Sequence, residues 1–126
     1  MRLLLDSHVV LWWLENNVSL GASCRELIGE ADVVYVSAVT PWELGIKRAL
    51  GKLSFPEGLL EAISSSGFEL LSIAANHAER AATLPMHHRD PFDRILVAQA
   101  QLEALRLVSA DRSFAPYDIA ITDARE

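Results

Sequence analysis

Cysteine is almost absent from this 126-residue chain. Cys24 stands alone, so no internal disulfide forms, which fits a reducing cytosol. The ELIGEAD pattern just after it reads as ordinary helix and turn, so Cys24 is expected to be buried filler rather than a nucleophile. Basic residues are also few, 11 Lys and Arg against 17 Asp and Glu. The resulting net charge of −6 argues against a general nucleic-acid coat, whose phosphate contacts need cations. No apolar run approaches the length of a membrane span. The opening MRLLLDSHVVLWWL is interrupted by Asp6 and His8 and lacks a small-residue cleavage site, so it does not read as a signal peptide. A Gly-rich phosphate loop, a GxSxG elbow, a DxD at the first strand and Cys/His spacing for zinc are all missing. Those absences weaken the case for nucleotide-dependent enzymes, α/β-hydrolases, phosphoaspartyl phosphatases and zinc proteins. Repeats, low-complexity tracts and linkers are missing too. A single cytoplasmic domain over residues 1–126 is the expectation.

What is present is an alternation of short apolar runs and helical patterns. RLLLD (2–6) is followed by the helical SHVVLWWLEN, with Ser7 as its expected cap. VVYVSA (33–38) precedes a helix whose expected cap is Thr40 and whose apolar face is Trp42, Ile46, Ala49 and Leu50. A helix after Pro56, a strand FELLSI (68–73) and a helix from Asn76 to Thr83 come next. The helix from Asp90 and the strands LRLVSA (105–110) and DIAIT (118–122) close the chain. Solidly apolar strands alternating with helices predict an α/β fold: a central, mostly parallel sheet of about five short strands covered on both faces. In such sheets functional groups gather beyond the carboxyl ends of the strands, where strand order reverses.

Acids fall at those ends. Asp6 closes the first strand and Asp111 follows the strand LRLVSA. Glu43 and Asp93 lie in the first turns of helices, in the parallel phrases TPWE and DPFD. Each has a plain structural reading. Asp6 caps a helix, Glu43 pairs with Lys47 at i,i+4, and Asp111 starts a turn in SADRSF. Asp90 caps its helix with Pro91 at the first helical position, and Asp93 completes a capping box. Four such acids on one rim would repel one another, and a hard divalent cation would remove that penalty. All-oxygen ligands favour Mg²⁺ or Mn²⁺. His87 and His88 read as partly exposed loop residues, His77 as structural, and Trp12 and Trp13 as core or interface. Basic residues collect around the two phrases: Lys47, Arg48 and Lys52 near the first, Arg89, Arg94, Arg106 and Arg112 around the second.

In four stretches the chain resembles the PIN-domain proteins, specifically the VapC-like toxins of bacterial type II toxin–antitoxin pairs. LLLDSHVVLWWL resembles the family's opening, with its acid at Asp6 and hydroxyl neighbour at Ser7. SAVTPWELGIKRALGKL resembles the segment of the second acid, Glu43. HHRDPFDRILVAQA resembles the segment whose third acid is Asp93, and LVSADRSFAPY the closing motif with Ser109 and Asp111. The resemblance spans essentially the whole chain, and it implies a PIN-like α/β/α sandwich. It also implies a Mg²⁺- or Mn²⁺-dependent endoribonuclease in which Asp6, Glu43, Asp93 and Asp111 hold the metal. Ser7 and Ser109 would support them, and water would attack the phosphodiester in line, leaving a 5′-phosphate and a 3′-hydroxyl. Lys47, Arg48, Arg89, Arg94 and Arg112 become candidate contacts to the RNA backbone. A cognate antitoxin and a second copy of the chain, joined through exposed apolar helix surface, are the implied partners. Two other classes stay open: a PIN-like module that binds protein or RNA without cutting, and a DNA or structure-specific nuclease on the same fold.

Overall fold

The computed structural model describes residues 1–126. Its elements run β1 (Arg2–Leu5), α1 (Ser7–Leu14), α2 (Ala22–Glu30), β2 (Val33–Ser37), α3 (Val39–Ala49) and α4 (Leu59–Ser65). They continue through β3 (Glu69–Leu71), α5 (Ala75–Thr83), α6 (Pro91–Glu103), β4 (Arg106–Ser109), a 3₁₀ turn (Arg112–Phe114) and β5 (Ile121–Asp123). The five strands form one sheet in the order β3-β2-β1-β4-β5, and every pairing is parallel. Order reverses at β1: the chain moves outward to β3, then returns to place β4 on β1's other side. The rim above β1 is therefore the switch point.

Alternation along β1 divides the core. Leu3 and Leu5 pack on one face with Val9, Val10, Cys24, Ile28 and Ile63 from α1, α2 and α4. Leu4 packs on the other with Leu96, Val97 and Ala100 of α6 and with Phe114 and Tyr117. Cys24 is 1% exposed, the filler position its surroundings suggested. Helices on both faces satisfy what a solidly apolar parallel sheet requires.

Several boundaries differ from those read in the sequence, each for a local reason. Ser7 is the first residue of α1, and the cap is Asp6, whose carboxylate accepts the Ser7 N–H at 2.7 Å. Thr40 is no cap either. Val39 N–H donates to Ser37 Oγ at 3.1 Å, so the end of β2 starts α3 before Thr40 is reached, and Thr40 turns inward, fully buried. The last strand begins at Ile121 rather than Asp118, because the 3₁₀ turn and the residues after it first place Phe114 and Tyr117 in the core. The face of Trp42, Ile46 and Leu50 is real but uncovered: Trp42 is 63% and Leu50 64% exposed. α3 instead buries Val39, Thr40, Glu43 and Leu44.

The carboxyl-terminal segment is seated on the start of α2. Gly21 N–H donates to Ala124 O at 2.9 Å and Cys24 N–H to Glu126 O at 2.8 Å. A Cβ on Gly21 would fall 2.1 Å from Glu126 O, closer than atoms can approach. Gly21→Ala is therefore expected to lower stability by about 1–3 kcal/mol through overpacking. Urea unfolding measures it, and an unchanged midpoint would show that the segment moves aside freely.

Candidate metal centre

Four segments bring their acids to the rim above β1. Asp6 follows β1 directly and is 7% exposed. Its Oδ1 accepts the Ser7 N–H and its Oδ2 accepts the Ser109 hydroxyl at 2.7 Å. Ser109, the last residue of β4, also accepts the Asp111 N–H at 2.9 Å, so one hydroxyl ties the first acid to the last. Glu43, 4% exposed, stands one turn into α3. Its Oε1 accepts the Ser7 hydroxyl at 2.6 Å and its Oε2 accepts Lys47 Nζ at 3.0 Å. The helical Glu–Lys pair and the convergence on the rim coexist.

Asp93 lies at the centre. α5 runs antiparallel to α6, so Leu84 to Arg89 turn at the rim and α6 starts there. Asp90 Oδ1 accepts the N–H groups of Phe92 (2.9 Å) and Asp93 (3.3 Å), with Pro91 at the first helical position. The capping box, however, is not made. Asp90 N–H turns to His88 Nδ1 at 3.4 Å, leaving the Asp93 carboxylate free of any cap. Ligand atoms of Glu43, Asp90 and Asp93 lie within 4.8 Å of one another, as do those of His88, Asp93 and Asp111. Asp111 is the most open of the acids, with its side chain 43% exposed. Its Oδ1 accepts both the N–H (2.9 Å) and the hydroxyl (2.6 Å) of Ser113, the expected turn.

Charge is concentrated to match. Burial, then the neighbouring charges of Asp6, Asp90, Glu43 and Asp111, push the Asp93 carboxyl up to about 8. Asp6 is raised by burial, against its bonds from Ser109 and Ser7, with Glu43 adding to the rise. Burial alone would raise Asp111 too, but its bonds from Ser113 and the nearness of His88 hold it below the ordinary carboxylate range. Burial works against the Lys47 ammonium, yet the Glu43 carboxylate beside it raises its value. One ammonium does not balance this cluster, and a divalent cation would. The donors are almost all carboxylate oxygens, which fits Mg²⁺ or Mn²⁺. A buried His88 Nε2 without a hydrogen-bond partner also faces the cluster.

The cations divide. Arg89 and Arg112 are exposed at this rim. Lys47 is held by Glu43, and Arg48 stacks 4.3 Å above the Phe55 ring beside Glu57. Arg94, counted in the sequence as a contact to RNA, is not placed for it. It is 8% exposed and its guanidinium is used up inside: it donates to the carbonyls of Ala81, Leu84, Pro85 and His88 at 2.7–3.1 Å. His88 and Asp90 are the residues at the rim that sequence reading left out of the site.

Residues 3–120 match a known family, the PIN domain. This chain belongs to the PIN-domain family. A curated relative, Ribonuclease VapC22 of Mycobacterium tuberculosis (strain ATCC 25618 / H37Rv), is 33% identical over 116 residues, 86% of each chain. Solved structures share the PIN fold across nearly the whole length. A chain of VapBC2 from Rickettsia felis, bound to a DNA fragment from its promoter, superposes with TM-score 0.72 at 14% identity, covering 97% of this chain and 98% of that one. A chain of DNA-bound VapBC from Salmonella typhimurium does so with TM-score 0.72 at 20% identity, covering 98% of each.

Proposed function

We propose that this PIN-domain protein is the toxin of a type II toxin–antitoxin pair and acts as a divalent-metal-dependent endoribonuclease. The observation that carries the reading is the convergence of Asp6, Glu43, Asp93 and Asp111 on the sheet's switch point, with Asp93 pushed up to about 8 by burial and the surrounding carboxylates. The 33% identity to a protein named as a ribonuclease favours RNA as the substrate, and the structural neighbours that are toxin–antitoxin complexes favour an antitoxin partner.

Asp6, Glu43 and Asp93 would hold the cation, with Asp111 at the open side, although the closest groupings of ligand atoms join Glu43 and Asp111 to Asp93 without Asp6. Held there, a divalent cation would supply Lewis-acid chemistry: a water of lowered pKa as nucleophile and charge stabilisation for the leaving oxygen. The chain's own residues keep the ligands fixed. Ser109 and the Ser7 N–H hold the two oxygens of Asp6, and the Ser7 hydroxyl with Lys47 holds Glu43. Exposed Arg89 and Arg112 meet the phosphate backbone. Trp42, Ile46 and Leu50, with Phe92 edge-on to Trp42 at 5.0 Å, form the uncovered apolar surface through which a second copy would pair. No helix is long and apolar enough to cross a membrane.

The test is cleavage of total cellular RNA by protein freed of antitoxin, with Mg²⁺, with Mn²⁺ and with EDTA. Cleavage only with metal, leaving ligatable 5′-phosphate ends, is expected. Cleavage undiminished in EDTA would sink the metal mechanism. RNA left intact while DNA is cut would sink the choice of substrate.

A further inference from the structure

His88 is held from every side. Its N–H donates to the Tyr117 hydroxyl at 2.9 Å, and its carbonyl accepts Arg94 Nη1 at 3.1 Å. Its ring stands edge-on to Phe114, centroids 5.8 Å apart. Nδ1 accepts the Asp90 N–H, which in a neutral imidazole places the proton on Nε2. That Nε2 is buried and makes no aligned hydrogen bond. The acceptor nearest it is Asp93 Oδ2 at 2.7 Å, with Asp111 Oδ2 next at 3.7 Å. Asp93, the central carboxylate, accepts no aligned hydrogen bond from elsewhere in the chain, although Asp6 and Glu43 each accept two or more.

Two roles are open to such a nitrogen, ligand or donor, and the geometry separates them. Neighbouring ligands of an octahedral cation that bonds at about 2.1 Å stand roughly 3 Å apart. The contact to Asp93, 2.7 Å, is shorter than that and lies within hydrogen-bond reach. A ligating Nε2 would also have to pass its proton to Nδ1, which already faces the Asp90 N–H. We propose that His88 is a positioning residue: its Nε2–H holds the Asp93 carboxylate in the orientation that binds the cation. Hydrogen bonds at such sites are often poorly aligned while the site is empty and tighten when it is filled. This role rests on the metal-dependent reading of the site.

The probe is Mn²⁺ alone, titrated calorimetrically without RNA into wild type, His88→Phe and His88→Gln, with each fold checked by circular dichroism. Phenylalanine keeps the ring against Phe114 but has no donor, whereas the glutamine amide restores one near the same place. Loss of a hydrogen-bond partner to a metal ligand typically weakens metal binding about 10–100-fold. His88→Phe is expected to show that loss and His88→Gln to recover to within a few-fold of wild type. Electron spin-echo spectra of bound Mn²⁺ should lack a directly coordinated histidine nitrogen. Wild-type affinity in His88→Phe, equal losses in both variants, or a nitrogen coupling abolished by the substitutions would each overturn the proposal. Mn²⁺ binding that follows the expected order without RNA cleavage would overturn the nuclease reading alone. Absence of Mn²⁺ binding by wild type would overturn both.

Discussion

Asp93→Asn is expected to abolish RNA cleavage while leaving the protein folded. Asparagine keeps the shape of the side chain but is a much poorer ligand for a hard cation. If the cation supplies several kcal/mol of transition-state stabilisation, its loss lowers the cleavage rate about 10³-fold or more. Stability should move the other way. Asp93 titrates near 8 in the folded protein against an ordinary value of 3.8, so its contribution to stability is fully present below the lower value. That contribution is lost as pH rises through the higher one. Metal-free wild type should therefore melt at progressively lower temperature between pH 5 and pH 9, and Asp93→Asn should flatten that fall. A variant that cuts as fast as wild type would return Asp93 to a helix-start role. One that unfolds would show that the acid is structural.

Substitution of Arg94 is expected to be the most destabilising single change at the rim. Its guanidinium satisfies four carbonyls: two from the end of α5, and two from the loop that carries His88 and Asp90. Arg94→Leu leaves them without a donor in a buried place, at a cost of about 3 kcal/mol or more. Arg94→Lys should recover only part of this, since one ammonium cannot reach all four. Thermal unfolding gives the stability loss. Mn²⁺ affinity well below the melting temperature reports the loop, and should also fall, because His88 and Asp90 lose their anchor. Arg94→Leu as stable as wild type, with weakened RNA binding, would restore the substrate-contact reading drawn from the sequence.

Legibility in the sequence depended on the kind of signal available. β1 and β2 were plain as apolar, β-rich runs, and the start of α6 was plain because Asp90 and Pro91 are a local cap that tertiary structure did not disturb. The likeness of TPWE to DPFD was misleading. Ser37, at the end of β2, accepts the first N–H of α3, and a bond passed from strand to helix cannot be read from the helix's own residues. The spacing of Trp42, Ile46, Ala49 and Leu50 marks a face, but periodicity does not say whether its cover lies in the same chain. Arg94 could have been placed from its neighbours along α6. ILVAQA is apolar nearly all round the helix, so a cation at its start has to be satisfied inside the protein. His88 carried no periodic signal. Only its position just before DPFD marked it, and its contacts depend on Tyr117 and Phe114, far along the chain.

The most direct measurement is calorimetric titration of Mn²⁺ into metal-free wild type at pH 7, repeated in buffers of different ionisation enthalpy. With Asp93 titrating near 8, the free site carries a proton that the cation must displace. Saturable binding that releases protons, and that weakens sharply in Asp93→Asn, is the predicted result. Failure to bind, or binding that releases no proton and is indifferent to Asp93, would contradict a metal centre built on these acids.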